Sequence, residues 1–313
     1  MNTFACHLVH HINRYVELRR SLGYSFKTQA TTLRAFGRFV KRRAEAGPLT
    51  QQLVLTFVLE CQVTPNVRAQ RYAFLRNFAD YFSIFDSRTE DLDPQVLPRS
   101  RAVPPARLLE EAELERLLQT AREISPRRPM RGSTLLTMIG LLVSTGLRSG
   151  ELTRLDRNDV DLEQGILRIR RTKFRKNRLV PIHSTTLKAL RAYVTARDRA
   201  YPRSISPAFF LSVRGGRWSQ NGFGDAFRQA CTKAGLRQGP LRGLRPHDLR
   251  HRFATTRLVT WYREGADVQA RLPLLATYLG HTRYSDTAYY ITGTPDLLGQ
   301  AASRAFEPKG GAQ

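Results

Sequence analysis

The chain has 313 residues, 41% of them hydrophobic, with 51 Lys and Arg against 26 Asp and Glu and a formal net charge of +25. That length is too great for one ordinary core and suits two domains, and the positive excess, carried by both halves, calls for a polyanionic partner along folded surface and not for a basic tail on a neutral body. No apolar run approaches the ~20 residues of a membrane span, and the opening MNTFACHLVHHINRY lacks the charged head, apolar core and cleavage site of a signal peptide, so a cytoplasmic, nucleic-acid-bound protein with no membrane partner is expected.

Residues 1 to about 93 read as helical throughout, because apolar residues recur every three or four positions in VHHINRYVELRRSLGY, ATTLRAFGRFVKRRA and RAQRYAFLRNFADYFS. Breaks near Gly23, at Gly47 and Pro48, and at Thr64 and Pro65 divide this stretch into about four helices. Arg19, Arg20, Lys41, Arg42 and Arg43 alternate with the apolar positions, as a solvated face or as phosphate contacts, and the charge of the whole chain favours phosphate. His7, His10 and His11 have loose metal-ligand spacing, but no Cys, His or Asp set follows within reach, so no metal site is expected there. Cys6, Cys61 and Cys231 form no CxxC pair and are expected to be buried free thiols.

The segment DPQVLPRSRAVPPAR holds four prolines and few large apolar residues, which suits an extended connection. Residues 94–107 are therefore expected to link a helical domain at 1–93 to a second domain at 108–313. Beyond it, EEAELERLLQTARE is an amphipathic helix, and STLLTMIGLLVSTG is apolar on most faces, a buried helix ending at Gly146. Arg148 follows at once in TGLRSGEL, where the core would hold its backbone while the guanidinium reaches a cleft; a salt bridge within the fold is the plainer alternative. In GILRIRRT and NRLVPI apolar and basic residues alternate, the pattern of two antiparallel strands joined by a basic tip, KFRK, that carries Lys173 and Lys176.

HSTTLKALRAYVTARDRAY is a helix capped by Ser184 or Thr185, AFFLSVRGGRWSQ a short hairpin about Gly215 and Gly216, and NGFGDAFRQACTKAG a helix closed by Gly235. Trp218, Phe223 and Phe227 suit the core better than a base-stacking surface. In RPHDLRHRF, His247 and Arg250 stand three apart, which on a helix puts them on one face. YLGHTRYSDTAYY then brings His281 and, nine residues on, Tyr290.

In chain order Arg148, Lys173, His247, Arg250, His281 and Tyr290 resemble the tyrosine recombinase (phage-type integrase) family, over roughly residues 130–292, and LPLLATYLGH is similar to its mobile-element branch. The resemblance implies a mainly α fold: a small all-helical core-binding domain, then a mainly helical catalytic domain with a minor antiparallel β-sheet, the two closing around a duplex. It implies a site-specific recombinase that cleaves and rejoins double-stranded DNA, as a homo- or hetero-tetramer with related recombinases, neighbours being linked by their C-terminal segments. Register against the family selects Lys173 over Lys176, and the interval from His281 selects Tyr290 over Tyr289.

The residue types match the chemistry. Phosphodiester cleavage requires a nucleophile, charge neutralisation on the non-bridging oxygens and a proton for the departing 5′ oxygen. Planar guanidiniums at Arg148 and Arg250 suit the two oxygens and His281 adds a third donor, while His247 accepts or steers the tyrosine proton. Tyr290 attacks phosphorus to form a 3′-phosphotyrosyl link, and the resemblance makes Lys173 the acid for the leaving oxygen. Because the link conserves bond energy no ATP is required, and with no carboxylate cluster in the set no metal cofactor is expected. The competing readings are a non-cleaving accessory DNA binder, which has no reason to keep the whole set, and a type IB topoisomerase, which the length and domain pattern disfavour.

Overall fold

The structure is a computed structural model that describes residues 3–98, 107–170, 177–237, 243–281 and 287. It is mainly helical with one small antiparallel sheet, and it divides into two compact units, Met1–Pro104 and Pro105–Gln313.

The first unit contains α1 (Thr3–Ser21), α2 (Lys27–Arg43), α3 (Gln51–Glu60) and α4 (Pro65–Phe82). Its helices start and stop where local chemistry requires: the Thr50 hydroxyl accepts from the Leu53 N–H at 3.2 Å, and Pro65 opens α4 at a position whose N–H would have no partner. Leu8, Ile12 and Val16 of α1 bury against Leu33, Phe36 and Val40 of α2, Phe57 of α3, and Leu75, Phe78 and Phe82 of α4. Two of the basic residues have partners within the unit, Arg43 pairing with Glu60 and Arg19 lying 4.7 Å over the Tyr24 ring.

All three cysteines are free thiols, as expected, but the expected burial holds for only one of them. Cys231 is buried, but Cys61 is half-buried and Cys6 is exposed, because Ala5 and Leu8 take the inward face of α1. His11 is buried against Phe82 and Phe85, its Nε2 3.1 Å from that of the exposed His7. Among the described residues no group of three or more His, Cys, Asp or Glu could hold a metal ion, and no helix is long and apolar enough to cross a membrane.

The second unit is built on α6 (Pro129–Thr145), which packs against α5 (Glu111–Glu123), α8 (Ser184–Ala200) and α10 (Pro246–Arg263). Burial of Leu135, Met138, Ile139, Leu141 and Leu142 on several faces of α6 explains its apolar run. The short α7 (Ser149–Arg154) follows it, and α9 (Gln220–Lys233) and α11 (Val268–Leu279) complete the helices described. Trp218, Phe223 and Phe227 are core residues, as the sequence predicts.

The sheet has three strands, β1 (Val160–Asp161), β2 (Ile166–Ile169) and β3 (Arg178–Pro181), in the order β1-β2-β3 and antiparallel throughout. Two strands are predicted; β1 escapes because two residues cannot show an alternation. The cap of α8 also differs from expectation. His183 is the last extended residue, and its Nδ1 accepts from the Thr185 N–H at 3.3 Å, so Ser184 and Thr185 already lie in the first turn.

Candidate active site

The last carbonyls of a helix have no partner within it and carry its partial negative charge. In the second unit two such ends meet. α6 stops at Gly146 and α11 at Gly280, both left-handed, with φ of 62° and 70°. A Cβ on Gly146 would stand 2.6 Å from Phe253 and 2.9 Å from Leu279, so glycine serves both the backbone turn and the close approach.

Arginines from three different elements cover this junction. Arg250, on α10, donates to Gly146 O at 2.7 Å and Leu279 O at 2.8 Å. Arg148, between α6 and α7, donates to Gly280 O at 3.2 Å, and Arg178, at the start of β3, donates from Nε to Tyr278 O at 2.9 Å. The consecutive carbonyls of residues 278, 279 and 280 thus each accept from a different guanidinium.

Glu151 on α7 ties two of these arginines together. Its Oε1 accepts from Arg148 Nη1 and Arg178 Nη1, both at 3.0 Å, and its Oε2 accepts from the Arg148 N–H at 3.0 Å and Arg178 Nη2 at 2.8 Å. Burial pushes the carboxyl up, but the bonds and charge of Arg178, with those of Arg148, pull it further down, to about 2. Arg148 therefore does make the salt bridge that was its plainer reading, yet 36% of its side chain remains exposed. It is oriented by the bridge and open to solvent at once. Three guanidiniums against one carboxylate leave the cluster net positive.

Two imidazoles complete what is described. His281 Nε2 lies 2.7 Å from Arg250 Nη2 and its Nδ1 lies 2.7 Å from Thr287 Oγ. A guanidinium cannot accept, so in this arrangement Nε2 is the acceptor and the ring proton sits on Nδ1, facing the threonine. His247 is on α10, one turn before Arg250 and His251, its ring edge-on to His251 with centroids 4.8 Å apart. Desolvation by the protein packed around the ring, then the proximity of His251 and Arg250, lowers it to about 4, with Arg148 adding to the effect, although the residue as a whole remains exposed to solvent. His247 is therefore neutral near pH 7, with one ring nitrogen able to accept a hydrogen bond.

The structure brings together four of the residues singled out from sequence, Arg148, His247, Arg250 and His281. Lys173 and Tyr290 lie outside the described residues, as do their alternatives Lys176 and Tyr289. Sequence reasoning missed Arg178 and Thr287. Arg178 reads as one more basic residue of an alternating strand, and its partner Glu151 is 27 positions away, beyond any local spacing rule.

The phage integrase family model matches residues 107–295. The chain is 53% identical over 312 residues to a protein named integrase/recombinase y4rE of Sinorhizobium fredii strain NGR234, covering 100% of both. It is 35% identical to integrase/recombinase y4rB of the same organism, covering 94% of this chain and 95% of that one. Its fold is similar to that of the Tn1549 transposon integrase in complex with transposon right end DNA, with a TM-score of 0.66 and 17% identity over 95% of this chain and 99% of the other. The chain belongs to the phage integrase family of tyrosine recombinases, enzymes that break and rejoin DNA strands.

Proposed function

We propose that the chain is a site-specific recombinase of a mobile element, acting on double-stranded DNA through a 3′-phosphotyrosyl intermediate. The observation that carries the reading is the convergence of Arg148, Arg250 and His281 on the paired ends of α6 and α11, under a net positive charge and with Arg148 open to solvent.

In this reading Arg148 and Arg250 neutralise the non-bridging oxygens of the scissile phosphate. A phosphate oxygen accepting from Arg250 displaces the Arg250–His281 contact, and His281, once protonated, supplies a further donor. Tyr290 loses its phenolic proton toward His247, and its oxygen bonds to phosphorus as the bond to the 5′ oxygen breaks. The 5′ oxygen takes a proton from Lys173 and leaves as a hydroxyl. Attack by a 5′ hydroxyl on the phosphotyrosine reverses every transfer, so strands rejoin without an external energy source. The helical unit contributes basic surface to the same duplex, and two cleaved sites are held in a tetramer of this chain or of this chain with related recombinases.

The test begins with selection of a bound site from a random duplex library. Two copies of that site on one plasmid should recombine with the wild-type chain and not with Arg148→Ala or Arg250→Ala. Binding without recombination by the wild type, with every plausible sibling supplied, would favour the accessory binder.

A further inference from the structure

Glu151 divides its two oxygens unequally between the side chains of the arginines it meets. Arg178 takes both as a fork, Nη1 on Oε1 at 3.0 Å and Nη2 on Oε2 at 2.8 Å, whereas the Arg148 guanidinium reaches only Oε1, at 3.0 Å. Arg178 is committed at its third nitrogen as well, Nε donating to Tyr278 O at 2.9 Å, and its side chain is 10% exposed. Its seat is a close fit. A Cβ on Gly280 would stand 2.8 Å from Arg178 Nη1, so the glycine that ends α11 also makes room for this guanidinium. Every nitrogen of Arg178 is engaged inside the protein.

Arg148 is the reverse case. Of the five N–H groups of a guanidinium it commits one on Nη1 to Glu151 and one on Nη2 to Gly280 O, which leaves three for another acceptor on a side chain 36% exposed. That surplus depends on Arg178. A carboxylate and a guanidinium pair best at two points, so without Arg178 the buried Glu151 would turn its second oxygen onto the Arg148 side chain. The carboxylate would then take up the donors, and cancel the charge, that a phosphate requires. With Arg178 in place two guanidiniums share one carboxylate, and the net positive charge is left on the exposed one.

We propose that Arg178 is a positioning residue for Arg148: it occupies the fork of Glu151, so that Arg148 is oriented by a single side-chain bond and keeps its charge and its remaining donors for the scissile phosphate. The inference rests on the reading of Arg148 as a group that neutralises that phosphate. Loss of Arg178 therefore acts on charge neutralisation. A methylphosphonate at the scissile position, where a methyl group replaces one charged oxygen, distinguishes this from general structural damage, because an uncharged centre no longer requires the guanidinium.

The experiment uses the full chain at saturating concentration and a nicked suicide substrate carrying the selected site, with phosphate or methylphosphonate at the point of cleavage. On phosphate, Arg178→Ala should cleave about tenfold to a hundredfold more slowly at near-unchanged DNA affinity, the scale of a slightly misplaced catalytic group. Arg178→Lys keeps a positive charge beside Glu151 but offers one nitrogen in place of a fork, so its rate should fall between those of Arg178→Ala and wild type. If Arg178→Ala does not fold, Arg178→Lys carries the same comparison. On methylphosphonate both variants, and Arg148→Ala with them, should match wild type on that substrate. Wild-type rates on phosphate in both Arg178 variants, or equal slowing on both substrates while Arg148→Ala is rescued, would overturn the proposal. Weakened DNA binding with an unchanged rate at saturation would overturn it too, assigning Arg178 to the duplex. Failure of methylphosphonate to rescue Arg148→Ala would instead remove the reading of Arg148, and the proposal with it.

Discussion

Glu151→Gln tests the frame that holds Arg148. The folded carboxyl sits at about 2 against an ordinary 4.5, and at 1.36 kcal/mol for each factor of ten in acidity this contributes about 3 kcal/mol at neutral pH. Breaking a buried ion pair from one side costs a similar ~3–5 kcal/mol, so two independent routes agree. Because the folded value is the lower one, the contribution is complete above pH 4.5 and is lost as pH falls toward 2. Tryptophan fluorescence during urea unfolding reads the right unit, since Trp218 and Trp261 both belong to Pro105–Gln313. Glu151→Gln should be less stable than wild type by about 3 kcal/mol at pH 7 and by about half of that at pH 3. A gap below about 1 kcal/mol at pH 7, or one that does not narrow in acid, would refute the assignment of Glu151 as the charged tie between Arg148 and Arg178.

His247 acts in the same direction as Glu151 but over a higher pH range. The unfolded chain takes up its proton near 6.5 and the folded chain only near 4, so wild-type stability should fall between those values, by less than the bare shift implies because His247 is exposed to solvent, and His247→Gln should lack that part of the fall. An identical acid profile in the variant would contradict this. Binding to a duplex should weaken steeply with salt, because each neutralised phosphate releases counterions; a nearly flat dependence would count against extensive phosphate contact. Residues 295–313 carry Leu297, Leu298, Ala301 and Phe306, proposed as one apolar face that links neighbouring protomers. Their removal should reduce recombination more than binding to a single site, and equal loss of both would argue against a linking role.

What could be read in the sequence was what is local. The breaks at Gly23, Gly47 and Pro65 separate helices because φ requirements and a missing N–H act on one residue at a time. The all-round apolar run of α6, its stop at Gly146 and the shared face of His247 and Arg250 follow in the same way from helical period. What could not be read was made by distant partners. Nothing local to Arg148, Arg178 or Arg250 shows that all three reach successive carbonyls at one end of α11, 29 to 132 positions away. Nor does spacing show that Glu151, read as part of a motif, is the carboxylate shared by two of them. The family resemblance singled out Arg148, His247, Arg250 and His281, and the packing of two helix ends is the physical reason these four lie together.

The central claim is that a tyrosine of this chain becomes joined to DNA, and that it is Tyr290 and not its neighbour. On a helix adjacent residues point about 100° apart, so a helix that presents one tyrosine to the phosphate turns the other away. The decisive measurement traps the covalent complex on a nicked suicide substrate in the presence of EDTA, with wild type, Tyr290→Phe and Tyr289→Phe compared at equal DNA occupancy. Wild type and Tyr289→Phe should form the adduct, Tyr290→Phe should bind and form none, and the phosphopeptide should map to Tyr290. An adduct that persists in Tyr290→Phe, or a phosphopeptide at Tyr289, would contradict the account.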